Sequence, residues 1–501
     1  MKDSIGQNRI NTIAMKTKIL TLLCLTLVLG LCAEAQVPDT LDPASIYQQF
    51  KNQSLSDYEA FKEQAYREFE AFLAETWTEY ECVAGRGTAY SQAKPKNIEA
   101  MKVEAGESGT EVPFIISDKP ATWQPMSYKP SVQTDHPDAI NVKFYGRELT
   151  FHFPKELRIT PKGYKEKDVA NYYATMREND PKQALQKEVS EAVKGMGLNE
   201  WGHFVLYRTI ADKVLKRSDD CVLFCFYMLR SQGFKARIGR GHDSGQLMLL
   251  LALDNSKEVY SLPFFRFNDK KYYTVMGGLK GEDAYSYNEK ADDSNLHEVG
   301  LDFYQTLNIA PCDKQRTLSI PKTEITLQLP YSNSHLRYYD EMPMTVFPIY
   351  FKTGVSIEAQ KVLAETFAEL GKHNDKVQLV DLILGFVQNA FSYKIDEEQF
   401  GKEKYFFPEE VIGYRYSDCE DRAALFAWMV RTYVGYDVIG VLYPDHLATA
   451  VCLGTDAMTQ GKTLLHHGKR YVICDPTCPN APMGTVMPKL EKTAYEIVEI
   501  N

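Results

Sequence analysis

Three residues late in the chain have the types and the order for nucleophilic acyl transfer: Cys419, His446 and Asp475. Cys419 sits in Tyr416-Ser417-Asp418-Cys419-Glu420-Asp421-Arg422, just ahead of the apolar run AALFAWMVRTYV. Ser417 or Asp418 suits a helix N-cap, and Glu420 fits a capping box with Ser417, so the spacing predicts Cys419 in a first helical turn. A thiol placed there meets free backbone N–H groups and the positive end of the helix. Both favour the thiolate, and the same N–H groups can bind a developing oxyanion. Asp418, Glu420 and Asp421 act the other way, so an imidazolium partner is needed to hold the thiolate. Taken alone, such a cysteine is as readily a core residue near a helix end.

His446 opens the apolar run HLATAVCL directly after the Tyr443-Pro444-Asp445 turn. The chain then passes a hairpin-like loop and returns through Tyr471-Val472-Ile473-Cys474 to Asp475-Pro476. A His at the start of one strand and an Asp at the end of its antiparallel neighbour can lie side by side. The carboxylate then fixes the imidazole tautomer while the other ring nitrogen faces the thiol. Other constellations are weaker. Cys474 and Cys478 bracket Asp475 without the His or Cys partners a metal needs. His466-His467 lies in the hairpin. The acidic run Asp396-Glu397-Glu398 and the pair Glu409-Glu410 suit solvated faces better than calcium ligands, and Gly239-Arg240-Gly241 lacks the helix a phosphate loop requires. No metal and no cofactor are expected.

These residues need elements to position them, and the chain is long enough to supply several. Its 501 residues, 44% hydrophobic and 25% charged, suit a soluble protein of two to four domains. The net charge of −10 and the lack of a basic run argue against a nucleic-acid partner. Met15–Gln36 has the pattern of a secretory signal: Lys16 and Lys18, the apolar stretch Ile19–Leu31, then Ala33-Glu34-Ala35. Residues 1–35 are thus expected to leave, with Met15 as the true start. The stretch is short for a membrane span, and a lipoprotein built on Cys32 is disfavoured by the bulky Leu31 before it. No membrane span is expected elsewhere, and the mature chain is expected to be periplasmic or secreted. Ten cysteines occur, two of them (Cys24 and Cys32) in the signal. The rest are scattered, and a pair such as Cys82 with Cys312 stays open.

Residues 36–139 read as a helical lead and linker, with one long helix over Ser56–Tyr80 capped by Ser56 and Glu59. Residues 140–280 read as an α/β unit opening on a hairpin around Tyr145-Gly146. Residues 281–354 read as a β connector with strands in TEITLQLPY and MTVFPIYF, and 355–501 as a second α/β unit. The two units share an order of landmarks. Met228 and Arg230 lie 201 residues before Met429 and Arg431, and Ile238-Gly239 lies the same distance before Ile439-Gly440. The fold class is therefore α+β, with a repeat.

The run EEQFGKEKYFFPEEVIGYRYSDCEDRAALFAWMV, then YPDHLATAV, then YVICDPTCPNAP, resembles the transglutaminase-like superfamily, with its papain-like fold. More narrowly it is similar to transglutaminase-domain proteins exported by Bacteroidetes-type bacteria. The resemblance spans roughly residues 355–490. It implies Cys419 as nucleophile, His446 as general base and acid, and Asp475 as orienting carboxylate. It also implies an oxyanion helper upstream of the cysteine, for which Gln399 and Tyr416 are the candidates. At offsets of 201, 200 and 199 residues the first unit carries Ser218, Gln246 and Met276 at the three positions, a set unable to perform this chemistry, and so reads as a degenerate copy. The expected function is thiol-dependent hydrolysis of peptide or amide bonds, cell-wall peptides included by analogy. Transfer to an amine and an inert scaffold are the alternatives.

Overall fold

The computed structural model describes residues 43–83, 116–117, 136–254, 258–290, 293–454 and 461–500. The signal segment, with Cys24 and Cys32, lies outside them. The architecture is mixed α+β. Among the described residues no helix is long and apolar enough to cross a membrane. The chain divides into two units, residues 1–68 and 69–501.

The described part of the first unit is helical throughout and belongs to α1 (Pro43–Ala74). The helix starts well before Ser56, so Ser56 and Glu59 are interior residues and cap nothing. Pro43 suits a first turn, and no Gly or Pro follows to stop the helix. It also ends before Tyr80, because Thr78–Tyr80 (β1) is drawn into a sheet as the antiparallel partner of Ala284–Ser286.

Within the second unit, β2 (Ile116–Ser117) is a short edge strand. The hairpin β3 (Ala139–Phe144) and β4 (Arg147–His152) turns at Tyr145-Gly146, as the alternation predicts. Four helices follow: α2 (Glu166–Asn179), α3 (Ala184–Gly195), α4 (Trp201–Val214) and α5 (Ser218–Ser231). Then come β5 (Ala236–Gly241), β6 (Leu247–Leu251), β7 (Phe264–Phe267), β8 (Lys270–Met276) and β9 (Ala284–Ser286). They form an antiparallel sheet of order β1-β9-β5-β6-β8-β7, so this part of the molecule runs past residue 280. The connector holds β10 (Lys314–Ser319), β11 (Thr326–Tyr331), α6 (Asn333–Asp340) and α7 (Pro348–Lys352). MTVFPIYF thus ends in a helical turn rather than a strand, with Pro348 in its first turn.

The last part comprises α8 (Ile357–Leu370), α9 (Lys376–Ala390), β12 (Ser392–Tyr393), α10 (Asp396–Gln399), α11 (Pro408–Gly413), β13 (Tyr416–Ser417) and α12 (Cys419–Met429). The strands β14 (Val438–Tyr443), β15 (His446–Val451), β16 (Thr463–His466), β17 (Lys469–Cys474) and β18 (Glu496–Val498) close the chain. Their order is β16-β17-β15-β14-β18, antiparallel throughout. Strand for strand this matches β7-β8-β6-β5-β9 in the first sheet. In each, a buried helix (α5 or α12) precedes the strands and packs on the central pair.

Both central strands are covered on both faces, which is why they read as unbroken apolar runs. Leu247, Leu249 and Leu251 enter the core shared with the helices, while Met248 and Leu250 pack on the outer face. Leu447 and Val451 do the former in β15, and Ala448 and Ala450 the latter. α5 gives way to a left-handed glycine, Gly233 (φ +99°), and the π-helical turn Val430–Val434 that continues α12 ends at another, Gly435 (φ +78°), a conformation that costs a Cβ-bearing residue.

Candidate active site

Cys419 is the first residue of α12 and Asp418 its N-cap. The segment before it is strongly tied down. Arg316 donates to the carbonyls of Val411, Ile412 and Tyr414, filling acceptors the end of α11 leaves free. Glu409 accepts from the Ser332 and Ser356 amides and from His335 Nδ1. The Ile309 amide donates to His335 Nε2, so that ring is neutral with its proton on Nδ1. Arg422, on the second turn of α12, reaches Ser417 Oγ and the carbonyls of Gln388 and Phe391. Glu409 and Glu410 are fully buried, Glu410 against the Lys404 ammonium, and Asp396 is buried too. These acids are therefore not solvated faces, contrary to the sequence expectation. Buried carboxylates persist where N–H groups or an ammonium hold them.

His446 opens β15 opposite Tyr443, and Asp475 follows the last residue of β17. His446 Nε2 lies 2.9 Å from Asp475 Oδ2, with both side chains buried. Asp475 Oδ1 accepts from the amides of Thr477 and Cys478 at 2.9 and 3.2 Å. Its own carbonyl, with that of Ala481, accepts from Gln388 Nε2. Asp-Pro makes this turn because Pro476 cannot extend the ladder and an Asp side chain readily takes amides two and three residues on. Since a carboxylate only accepts, Nε2 carries the proton and Nδ1 keeps a lone pair for use as a base.

Cys419 is only partly buried. Its thiol donates to Glu420 Oε2 at 2.9 Å. No hydrogen bond among the described residues joins it to His446, but its sulfur lies within reach of the backbone amide of Leu447, the next residue along. Burial and then the Glu420 carboxylate push the thiol far above its usual range, while the Leu447 amide opposes them.

Of the two oxyanion candidates, Gln399 is buried at the end of α10, and Tyr416 is buried with its hydroxyl unpartnered. The phenol that feels the site is that of Tyr393, whose pKa is raised first by burial and then by the Cys419 charge. Parallel pairing of β12 with β13 puts Tyr393 level with Ser417. The sequence reading passed over Tyr393, Gln388 and the role of Arg422. Glu420, read there as an acid opposing the thiolate, is the one that takes the thiol's hydrogen bond.

In the first sheet the Leu247 amide, the counterpart of the Leu447 amide by register and core face, donates to Asp219 Oδ1 at 3.0 Å. Ser218 lies one residue earlier and is exposed, as is Gln246. A bulge between Leu249 and Leu250 sets Met276 opposite Leu249, as Cys474 is opposite Thr449, so Gly277 follows where Asp475 follows Cys474. None of these residues is both a nucleophile and paired to a base. The eight described cysteines are free thiols, Cys82 and Cys312 included, and the Cys312 thiol donates a hydrogen bond to Ser356 Oγ. His466 and His467 both reach Glu499 Oε1. Comparisons of the chain with protein-family models, curated proteins and solved structures returned no match.

Proposed function

We propose that this chain is a thiol-dependent acyl-transfer enzyme of transglutaminase-like, papain-like fold, exported to the periplasm or beyond, that hydrolyses amide bonds in peptides. The observation that carries the reading is the convergence at the start of β15. A buried His446 is held by Asp475 through Nε2, and the sulfur of a helix-opening cysteine meets the amide of the very next residue. The thiol proton passes to His446 Nδ1 and the sulfur attacks the amide carbonyl carbon. The oxyanion formed is met by the N-terminal amides of α12 and the Tyr393 phenol. The C–N bond then breaks, Nδ1–H protonates the departing amine, and a thioester remains. Water, deprotonated by His446, releases the acid and restores the thiol. An amine in place of water would make the same site a transglutaminase. The first sheet, matched strand for strand, is on this reading a copy that has lost the site.

One observation favours an inert scaffold instead: the thiol donates to Glu420 and not to the imidazole. Iodoacetamide labelling near pH 7 separates the two. An enzyme gives one fast thiol, absent in Cys419→Ala and slow in His446→Ala. Uniformly slow labelling of all eight mature cysteines favours the scaffold. Incubating a glutamine-containing peptide with and without a primary amine then separates hydrolysis from transfer.

A further inference from the structure

His466 and His467 are neighbours in sequence, yet both rings aim at one oxygen. Nε2 of His466 lies 2.9 Å, and Nε2 of His467 2.8 Å, from Glu499 Oε1. Successive side chains of a regular strand point to opposite faces, so adjacent histidines meet in this way only where the chain turns between them. Here β16 ends at His466, and His467-Gly468 form a two-residue turn into β17, both left-handed at φ +46° and +75°. Asn-Gly suits such a turn best. With His467 in the first place, the two imidazole centroids stand 4.0 Å apart. Glu499 reaches them from another part of the sheet. It follows β18, one edge of the order β16-β17-β15-β14-β18, while the histidines lie at the end of β16, the other edge.

As exposed hydrogen-bonded pairs these contacts contribute little on their own. As metal ligands they form a recognisable set. Two imidazole nitrogens and a carboxylate oxygen lie within 4.8 Å of one another, the three protein donors of an open zinc site with water in the fourth place. Tetrahedral ligands about 2.1 Å from zinc stand about 3.4 Å apart, so each His–Glu distance needs to open by only about half an ångström. The His467 and Glu499 side chains are 74% and 47% exposed, which leaves room for that movement and for water. Nitrogen donors disfavour Ca2+ and Mg2+, which take oxygen, and suit a borderline ion. The neighbouring Lys469 ammonium is held by Asp437.

We propose that His466, His467 and Glu499 form a Zn2+ site that staples the β16–β17 turn to the segment after β18. On binding, each neutral ring carries its proton on Nδ1 and gives its Nε2 lone pair to the metal. Glu499 gives Oε1, and water completes the sphere. The site stands apart from the catalytic reading, because none of its three residues takes part in that chemistry.

The test uses the untagged mature chain, reduced and stripped with a chelator. Zn2+ is titrated by calorimetry, and Co2+ is followed by its absorption. One Zn2+ per chain is expected, with a Co2+ spectrum free of the near-ultraviolet band that thiolate ligands give. His466→Ala, His467→Ala and Glu499→Gln, checked for folding by circular dichroism, should each weaken binding by about tenfold or more, since even the outer partners of metal ligands are worth about tenfold to a hundredfold. His373→Ala removes an exposed histidine beyond α8 and should change nothing. Zn2+ should raise the melting temperature of the parent more than that of the three variants, because a ligand of the folded chain stabilises it by mass action. It should also slow amide exchange in β16 and β18 together. Lack of saturable binding, a thiolate band, or binding indifferent to all three variants overturns the site. Binding that leaves exchange in β18 unchanged overturns the staple.

Discussion

The two matched sheets differ most at one backbone amide. Leu247 and Leu447 occupy the same place, near the start of a central strand and facing the helix that precedes it. The Leu247 amide takes the Asp219 carboxylate, and the Leu447 amide meets the Cys419 sulfur. This arrangement therefore supplies a directed donor beside a helix N-terminus in both halves, and the side chain facing it decides whether chemistry is available. The halves also differ in how firmly the approach to that helix is anchored. Before α12 it is fastened by buried Arg316, Glu409 and Arg422. Before α5 the Arg217–Asp220 pair has a half-exposed arginine.

The sharpest break of the comparison is functional. Asp475→Asn should slow Cys419 labelling by about a hundredfold or more, because the imidazole loses the group that fixes its tautomer. Asp219→Asn and Gln246→Ala should leave it within about twofold, since neither belongs to a nucleophile–base pair. A comparable loss from the first sheet would mean that the halves share one site.

Anchoring comes next. Glu409→Ala strands two amides and a histidine N–H in the interior, and should lower stability by about 3–5 kcal/mol in denaturant titration. Arg217→Ala, at the matching approach, should leave the midpoint where it is. Equal losses would erase the distinction.

The third prediction concerns a histidine confined to the first half. Burial, opposed in part by the Glu200 carbonyl, lowers the His203 pKa from 6.5 to about 4. The folded state thus prefers the neutral ring more than the unfolded chain does. Its contribution is complete above pH 6.5 and is lost as pH falls toward 4. The shift is worth about 3 kcal/mol, so His203→Gln should flatten the acid-side fall in stability by that order. An unchanged slope between pH 6.5 and 4 would remove His203 from the account.

Much of the site could be read from sequence because its parts sit at element boundaries, which short-range rules describe well. Asp418-Cys419 is a helix start, Tyr443-Pro444-Asp445-His446 a turn into a strand, and Asp475-Pro476 a strand stop. What escaped depends on burial and distant contact. Asp396 and Glu409-Glu410 look like solvated acids in a string of letters. Only the Lys404 amide, the Ser332 and Ser356 amides and the Lys404 ammonium turn them into interior groups. Tyr393 is unremarkable in its local sequence, and parallel pairing with β13 brings it to the site. Counting residues along the chain also carries no knowledge of a bulge, so the residue after Met276, rather than Met276 itself, falls where Asp475 does.

The smallest expected effect asks whether the halves share construction as well as order. Gly233 follows α5 at φ +99°, and Gly435 follows the π-helical turn that continues α12 at φ +78°. A Cβ on Gly435 meets nothing within 4 Å, and one on Gly233 meets only the His297 ring at 3.5 Å. Space is therefore no obstacle at either, and the cost of Ala is conformational, about 1 kcal/mol each. Asn tolerates left-handed backbone better than Ala, so Gly435→Asn should lose less than Gly435→Ala, and the same order should hold at Gly233. Thermal melts of the four variants check this. If Gly435→Ala were neutral while Gly233→Ala cost the expected amount, the turn after α12 would not need its left-handed residue, and the likeness of the halves would stop at strand order.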